Sequence, residues 1–412
     1  MIDFSKHLRD GDGIWWGQGP AEPESLVNAL LDQAGGIGEL LAFSGLSLNP
    51  RLGTDVPASL RIQSYGGLGE LRRLSQSGRL EVIPSHYSAL PRLFAEGRLP
   101  HDVGLLQVSA PNAAGEVSLG IGVEYAADAV RHTRTLIAEV NPRMPVTAGA
   151  PMLPLSGFAA VVEVDRPLRE VSTREPDAVD CAVAALVAGY VEDGDTIQIG
   201  VGSLPHAVLA ALRGHRNLGL HSGLITDGVL DLIERGVLNG SRKEIDAGLA
   251  ITGAAMGTRR LYEELARLPI EFRPASYTHH PATLSRLRSL VSINSALEVD
   301  LFGQIGSEHT GTVHLGAIGG QADFSSAAAL TGARSIIALR SEARGESTIR
   351  THLRGGLVST SRADVDVVIT EHGAAVLTGC TMAQRARRLV GIAAPQHREG
   401  LARALGQQEV AV

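Results

Sequence analysis

The chain has 412 residues, a net charge of −7 and 44% hydrophobic residues, which excludes a disordered chain and, by length, suggests roughly two to three domains. Its mild acidity excludes nucleic acid as the main partner, because a phosphate backbone demands a concentrated basic face. Two cysteines exclude a disulfide framework and no run reaches the ~18 apolar residues of a membrane helix, so the expected setting is a reducing cytoplasm with no membrane partner.

The first motif is Gly11-Asp12-Gly13-Ile14-Trp15-Trp16-Gly17-Gln18-Gly19, an Asp-containing turn, a short apolar run and a G-x-G loop. Trp15 and Trp16 offer flat apolar surface, either to a ligand or to a neighbouring sheet. The runs Val103 to Val108 and Thr135 to Val140 are short, apolar and rich in Leu or β-branched residues, as fully buried strands are. Asp165 to Pro176 is charged, contains two prolines and reads as a linker. Ala178 to Tyr190 has helical periodicity, which places Cys181 in a core.

A second Asp-turn, strand and G-x-G loop follows at Gly194 to Gly202, offset by 183 residues from the first. Ile197 to Ile199 reads as its strand, Gly200-Val201-Gly202-Ser203-Leu204-Pro205 as a loop, and His206 to Leu212 as a helix. Such a loop lets backbone N–H groups approach an anion or a thioester oxygen, or it is a plain tight turn. It lacks the spacing of a dinucleotide site. The repeat and the alternation of strands with helices predict an α/β protein of two tandem, related open-sheet domains, residues 1–175 and 176–412.

Polar candidates cluster in the second half. They are His221-Ser222-Gly223 leading to Asp227-Gly228, the pair His279-His280, and Asn294, Glu298 and Asp300. Adjacent histidines on a strand face opposite ways and no second ligand motif accompanies them, so no metal is expected. Glu298 and Asp300 share a strand face, but nothing else points to a sugar site. Gly316 to Phe324 precedes a small-residue helix at Ser325 to Leu330, so Gly319 and Gly320 form either an amide nest or a structural turn. Asp364 to Thr370 reads as a further strand.

Together these segments resemble the acetyl-CoA hydrolase/CoA-transferase family, which includes acetate, butyrate, 4-hydroxybutyrate and succinyl-CoA:acetate CoA-transferases. LQVSAPNAAGEVSLGIGVEY and LIAEVNPRMPVTAG carry the resemblance in the first half. IQIGVGSLPHAVLAAL, LGLHSGLITDGVLDL, VSINSALEVDLFGQIGSE, GAIGGQADF and VSTSRADVDVVITEHG carry it in the second. The resemblance implies a site in the cleft between the halves, coenzyme A as a substrate moiety with no tightly bound cofactor, and a homodimer or other homo-oligomer. It also implies that Gly200, Val201, Gly202, Ser203 and Leu204 line the CoA and oxyanion site, that Asn294 contacts CoA, and that Gly319 and Gly320 supply a second set of amides. In the family a glutamate attacks the thioester, and the freed CoA then forms a glutamyl-CoA intermediate.

That glutamate lies in H-[ST]-E-x-x-x-D-G, and here the stretch is His221-Ser222-Gly223-Leu224-Ile225-Thr226-Asp227-Gly228. The frame is intact and the nucleophile position is Gly223. His279-His280 stands where the family usually has Asn followed by Asp or His. Three readings follow. An acyl-CoA enzyme attacks the thioester directly, for hydrolysis or acyl transfer, with His279, His280 or His221 as base. Alternatively, a CoA-transferase uses a displaced nucleophile such as Glu298 and passes CoA to a carboxylate acceptor. In the third reading the chain binds CoA esters without turnover. On the first reading, Gly223→Glu is expected to restore exchange.

Overall fold

The computed structural model describes residues 2–309, 311 and 313–409. Seven parallel strands make the first sheet: β1 (Gly13–Trp16), β2 (Leu40–Phe43), β3 (Leu60–Ser64), β4 (Leu80–Val82), β5 (Val103–Val108), β6 (Thr135–Val140) and β7 (Ala160–Glu163). Their spatial order is β4-β3-β2-β1-β5-β6-β7. The second sheet contains β8 (Thr196–Ile199), β9 (Gly219–Leu220), β10 (Leu290–Ser295), β11 (Arg334–Ala338), β12 (Val367–Thr370) and β13 (Gly373–Val376). Its order is β9-β8-β10-β11-β12-β13, parallel except for the last pair.

The strands match the apolar runs because both faces are covered, so a continuous run rather than an alternating one is stable. β1 is buried along its whole length, with Trp15 on one face and Ile14 and Trp16 on the other. Trp15 packs edge-on against Phe94 and Tyr125 at 5.8 and 6.4 Å and donates to Thr133 Oγ1 at 2.9 Å. Trp16 donates to Glu22 Oε1 at 3.2 Å. Both indoles are core, and neither lines the cavity described below.

The 183-residue offset superposes β1 on β8, each inside its sheet with a neighbour on either side. The helix after β8 is Ser203–Ala211, starting earlier than the loop reading placed it. Pro205 sits in its first turn, where the proline's missing N–H costs nothing. β12 is shorter than its apolar run because Asp364 N–H turns back to Ser361 O at 2.9 Å. Cys181 faces outward from its helix, Ala178–Ala188, rather than into the core.

Residues 164–177 carry no helix or strand and are bonded to both halves. Arg166 donates to the buried Glu139 at 2.7 Å, while Val171 N–H reaches Gly257 O at 2.9 Å. The halves also meet directly through backbone. Gly67 N–H donates to Gly316 O (3.1 Å), Tyr87 N–H to Gly319 O (3.0 Å) and Glu124 N–H to Gly253 O (3.2 Å). Among the described residues no helix is long and apolar enough to cross a membrane.

Candidate functional site

A cavity of about 290 Å³ lies on this seam. The first half contributes Gln18, Gly19, Tyr65, Tyr87 and Glu124; the second contributes Gly200, Val201, Gly223, His279, Asn294, Gly319 and Gly320, among others. The G-x-G loops of both halves therefore face one space, with Gln18 and Val201 at equivalent positions of the repeat. Helices Ser203–Ala211 and Gln321–Thr331 begin at its edge, where unpaired N–H groups and the helix dipole favour negative charge.

Gly223 is held on both sides. Ser222 Oγ donates to Ile199 O (3.0 Å), and Gly223 O accepts from the N–H groups of Gly253 and Ala254, both at 3.1 Å. A Cβ at Gly223 would lie 2.8 Å from His279 Cε1 and 2.9 Å from Nε2; one at Gly320 would lie 2.5 Å from Nε2. The imidazole thus fills the space between two glycines. Tyr87 packs at 4.7 Å and Phe324 edge-on at 5.1 Å. Burial pushes His279 down to about 4, so the ring is neutral near pH 7. Its Nδ1 lies 2.8 Å from Thr278 Oγ1, which leaves Nε2 as the nitrogen aimed at Gly223 and Gly320.

The other sequence candidates divide by position. Asn294 lines the cavity, but its amide nitrogen already donates to Gln198 Oε1 (3.0 Å) and Ser292 Oγ (2.9 Å), which ties β10 to β8. Gly202, Ser203 and Leu204 lie behind the lining, at the start of their helix. His221, though fully buried, is outside the lining. Its Nε2 donates to Thr278 O at 3.0 Å, and burial, followed by the charge of Lys243, pushes it down to about 3. His280 is exposed, with Nδ1 accepting from Ala282 N–H at 3.2 Å as a helix cap. Glu298 accepts from Arg354 N–H at 2.7 Å and pairs with Arg350 at 3.5 Å, away from the cavity. These three placements correct the expectation that His221, His280 and Glu298 share one cleft with His279.

Glu124 is the residue that sequence reasoning missed. It is the only carboxyl lining the cavity among the described residues, and no Lys or Arg joins it. Its Oε2 accepts hydrogen bonds from Tyr87 Oη and Gln18 Nε2. Gln18 is oriented in turn, because its Oε1 accepts from Tyr65 Oη (2.8 Å) and Leu46 N–H (2.7 Å). Burial outweighs these donors and raises Glu124 to about 7. The equivalence of Gln18 with Val201 in the repeat was the available signal for this wall. Nothing in the sequence marked the carboxylate itself. Among the described residues no group of three or more His, Cys, Asp or Glu is placed to hold a metal.

Known proteins resemble the chain along its length. The model of the acetyl-CoA hydrolase/transferase N-terminal domain matches residues 3–167, and that of the C-terminal domain matches 257–405. A 4-hydroxybutyrate coenzyme A transferase of Clostridium kluyveri is 37% identical over 388 residues, covering 92% of this chain and 90% of that protein. A succinyl-CoA:acetate/propanoyl-CoA:succinate CoA transferase of Fasciola hepatica is 32% identical over 406 residues, covering 96% and 85%. The crystal structure of RipA from Yersinia pestis superposes with a TM-score of 0.90 at 32% identity, covering 98% of this chain and 96% of RipA.

Proposed function

Because the chain belongs to the acetyl-CoA hydrolase/transferase family, and so is an acyl-CoA hydrolase or CoA-transferase, we propose that it attacks acyl-CoA thioesters directly, without a glutamyl-CoA intermediate. The attacking group is water or a second substrate such as a carboxylate. The observation that carries this reading is the pair Gly223 and His279. The position from which a glutamate would attack has no side chain, and the volume it would use is taken by a neutral buried imidazole. Restoring a carboxylate there is sterically opposed, which supports chemistry built around its absence.

In this reading the thioester carbonyl sits in the cavity that Gly223, the His279 ring and Glu124 line together. Gly200 and Val201 of the loop and the glycines Gly319 and Gly320 present backbone toward CoA and toward the oxyanion, where fixed N–H dipoles are worth most. Asn294 holds the floor between them. Glu298 is a poor displaced nucleophile, since its carboxylate is bonded to Arg354 and Arg350 outside the cavity.

Thiol release from acetyl-CoA and butyryl-CoA, measured with and without acetate, tests the reading. Release that does not require a glutamyl adduct is expected, and hydroxylamine or borohydride treatment should leave every glutamate unmodified. A trapped glutamyl-CoA, with acetate-dependent ping-pong kinetics, would overturn it in favour of a displaced nucleophile. Calorimetric binding of both esters with no turnover would overturn it in favour of a sensor.

A further inference from the structure

We propose that Glu124, contributed by the first half, is the general base that takes the proton from the water attacking the thioester. The inference rests on the direct-attack reading above and assigns its base.

Position comes first. Glu124 N–H donates to Gly253 O (3.2 Å), and Gly253 N–H donates to Gly223 O (3.1 Å). One residue, Gly253, therefore separates the backbones of Glu124 and Gly223, and a Cβ on it would stand 3.6 Å from Glu124 Cα and 3.0 Å from Gly223 O. The carboxylate faces the same space as the vacated nucleophile position, from the opposite half of the molecule.

The carboxylate's bonding comes next. Tyr87 and Gln18 both donate to Oε2, whereas Oε1 has no hydrogen-bond partner among the described residues and is not sealed in the interior. One oxygen is thus an anchor and the other a free acceptor. A general base needs this arrangement, with fixed direction and an open lone pair.

The backbone is held in an uncommon conformation. Glu124 has φ +20°, outside the regions that a residue with a Cβ normally occupies. Such positions persist where the surroundings over-determine them, and they concentrate at functional sites.

Basicity then separates the two cavity candidates. The best general base has its pKa near the working pH. Glu124 lies at about 7 and His279 at about 4, so the carboxylate is the stronger proton acceptor of the two. The titratable groups around Glu124 are Tyr87, Tyr65, the adjacent Tyr125 and, across Tyr87, His279 with Asp323 behind it. The tyrosines stay neutral, since burial pushes all three well up.

The step balances as follows. Glu124 Oε1 takes a proton from water as the water oxygen bonds to the thioester carbon, and the carbonyl electron pair moves onto oxygen. Collapse re-forms C=O and breaks C–S, so CoA leaves as the thiolate. The proton on Glu124 passes to that thiolate or to solvent, giving the free acid and CoA.

The test is the pH profile of thiol release from acetyl-CoA and butyryl-CoA. The natural protein should show an acid limb near pH 7, with rate rising as pH rises, because the base acts only when ionised. Glu124→Gln should lower kcat by about 10²–10⁴-fold, with KM little changed, and remove the limb. His279→Asn should keep it. If Glu124→Gln melts early, Tyr87→Phe serves in its place. Losing that donor destabilises the carboxylate, so the limb should move to higher pH. A Glu124→Gln variant within about fivefold of the natural rate, a limb near pH 4 that disappears with His279, or an unmoved limb in Tyr87→Phe would overturn the assignment while leaving direct attack intact. A CoA adduct on another glutamate would overturn direct attack; one on Glu124 itself, or no thiol release at any pH, would overturn both.

Discussion

Gly223→Glu alone is expected to give no acetate exchange and to lower stability, whereas Gly223→Glu with His279→Asn exchanges labelled acetate into acetyl-CoA. The simple expectation from sequence was that the single change suffices. The contact distances reverse it. A Cβ at 223 would meet the imidazole at 2.8–2.9 Å, closer than real Cβ contacts come. The ring cannot retreat, because Gly320, Tyr87 and Phe324 close around it. Overpacking of this kind costs about 1–3 kcal/mol, and an added carboxylate must also find donors in a buried site. Asn at 279, the residue type that the family resemblance places there, removes the ring and leaves room. The double variant should exchange at least ~100-fold faster than the single one, about 2.7 kcal/mol in barrier. Thermal melting read beside the exchange assay checks both parts. A single variant that matches the double one would show that Gly223 and His279 are not coupled by volume.

Glu139→Ala should cost about 3–5 kcal/mol in urea unfolding, the range for stranding one partner of a buried ion pair. Glu139 is fully buried on β6, while Arg166 belongs to the segment joining the halves. Oε1 takes Arg166 Nη2 at 2.7 Å. Oε2 accepts the N–H groups of Ser25 and Leu26, at 2.7 and 3.2 Å, in the first turn of helix Glu24–Gln33. Removing the carboxylate therefore takes from Arg166 its buried charge partner and leaves two helix N–H groups without partners at once. Glu24→Ala is the contrast. Its partner Arg169 is nearly half open to solvent, so a loss of about 1 kcal/mol or less is expected. Equal losses in the two variants would rule out the proposed role of burial. Because Arg166 also donates to Glu22 O at 3.1 Å, the same variant should loosen the connecting segment against the first sheet.

Much of this molecule was legible in one dimension, for identifiable reasons. Val103 to Val108 and Thr135 to Val140 coincide with β5 and β6, because a strand covered on both faces must be apolar throughout. The paired glycine loops were visible because the two halves repeat the same turn, strand and loop. The family follows from motifs read along the chain, and the expectation of a missing glutamate at position 223 is drawn from the same motifs.

The distinctions that matter for chemistry were not legible in that way. His279 and His280 are neighbours of one residue type, yet one is sealed against two glycines and the other caps a helix in solvent. His221 sits in the motif where the family resemblance leads us to expect a nucleophile, and it is spent on a carbonyl. Glu298 sits in a family motif and is spent on arginines. Glu124, in an apolar stretch with nothing local to mark it, meets Gln18 and Tyr87 only after the first sheet assembles, and meets the Gly223 segment only after the halves dock. Motifs were enough to show which family the chain belongs to, because they are written in contiguous residues, and the reading of Gly223 as a vacated nucleophile position rests on the same contiguous frame. What fills the gap, and which carboxylate looks into it, depends on burial and on distances between segments roughly a hundred residues apart, and those exist only once the chain has folded.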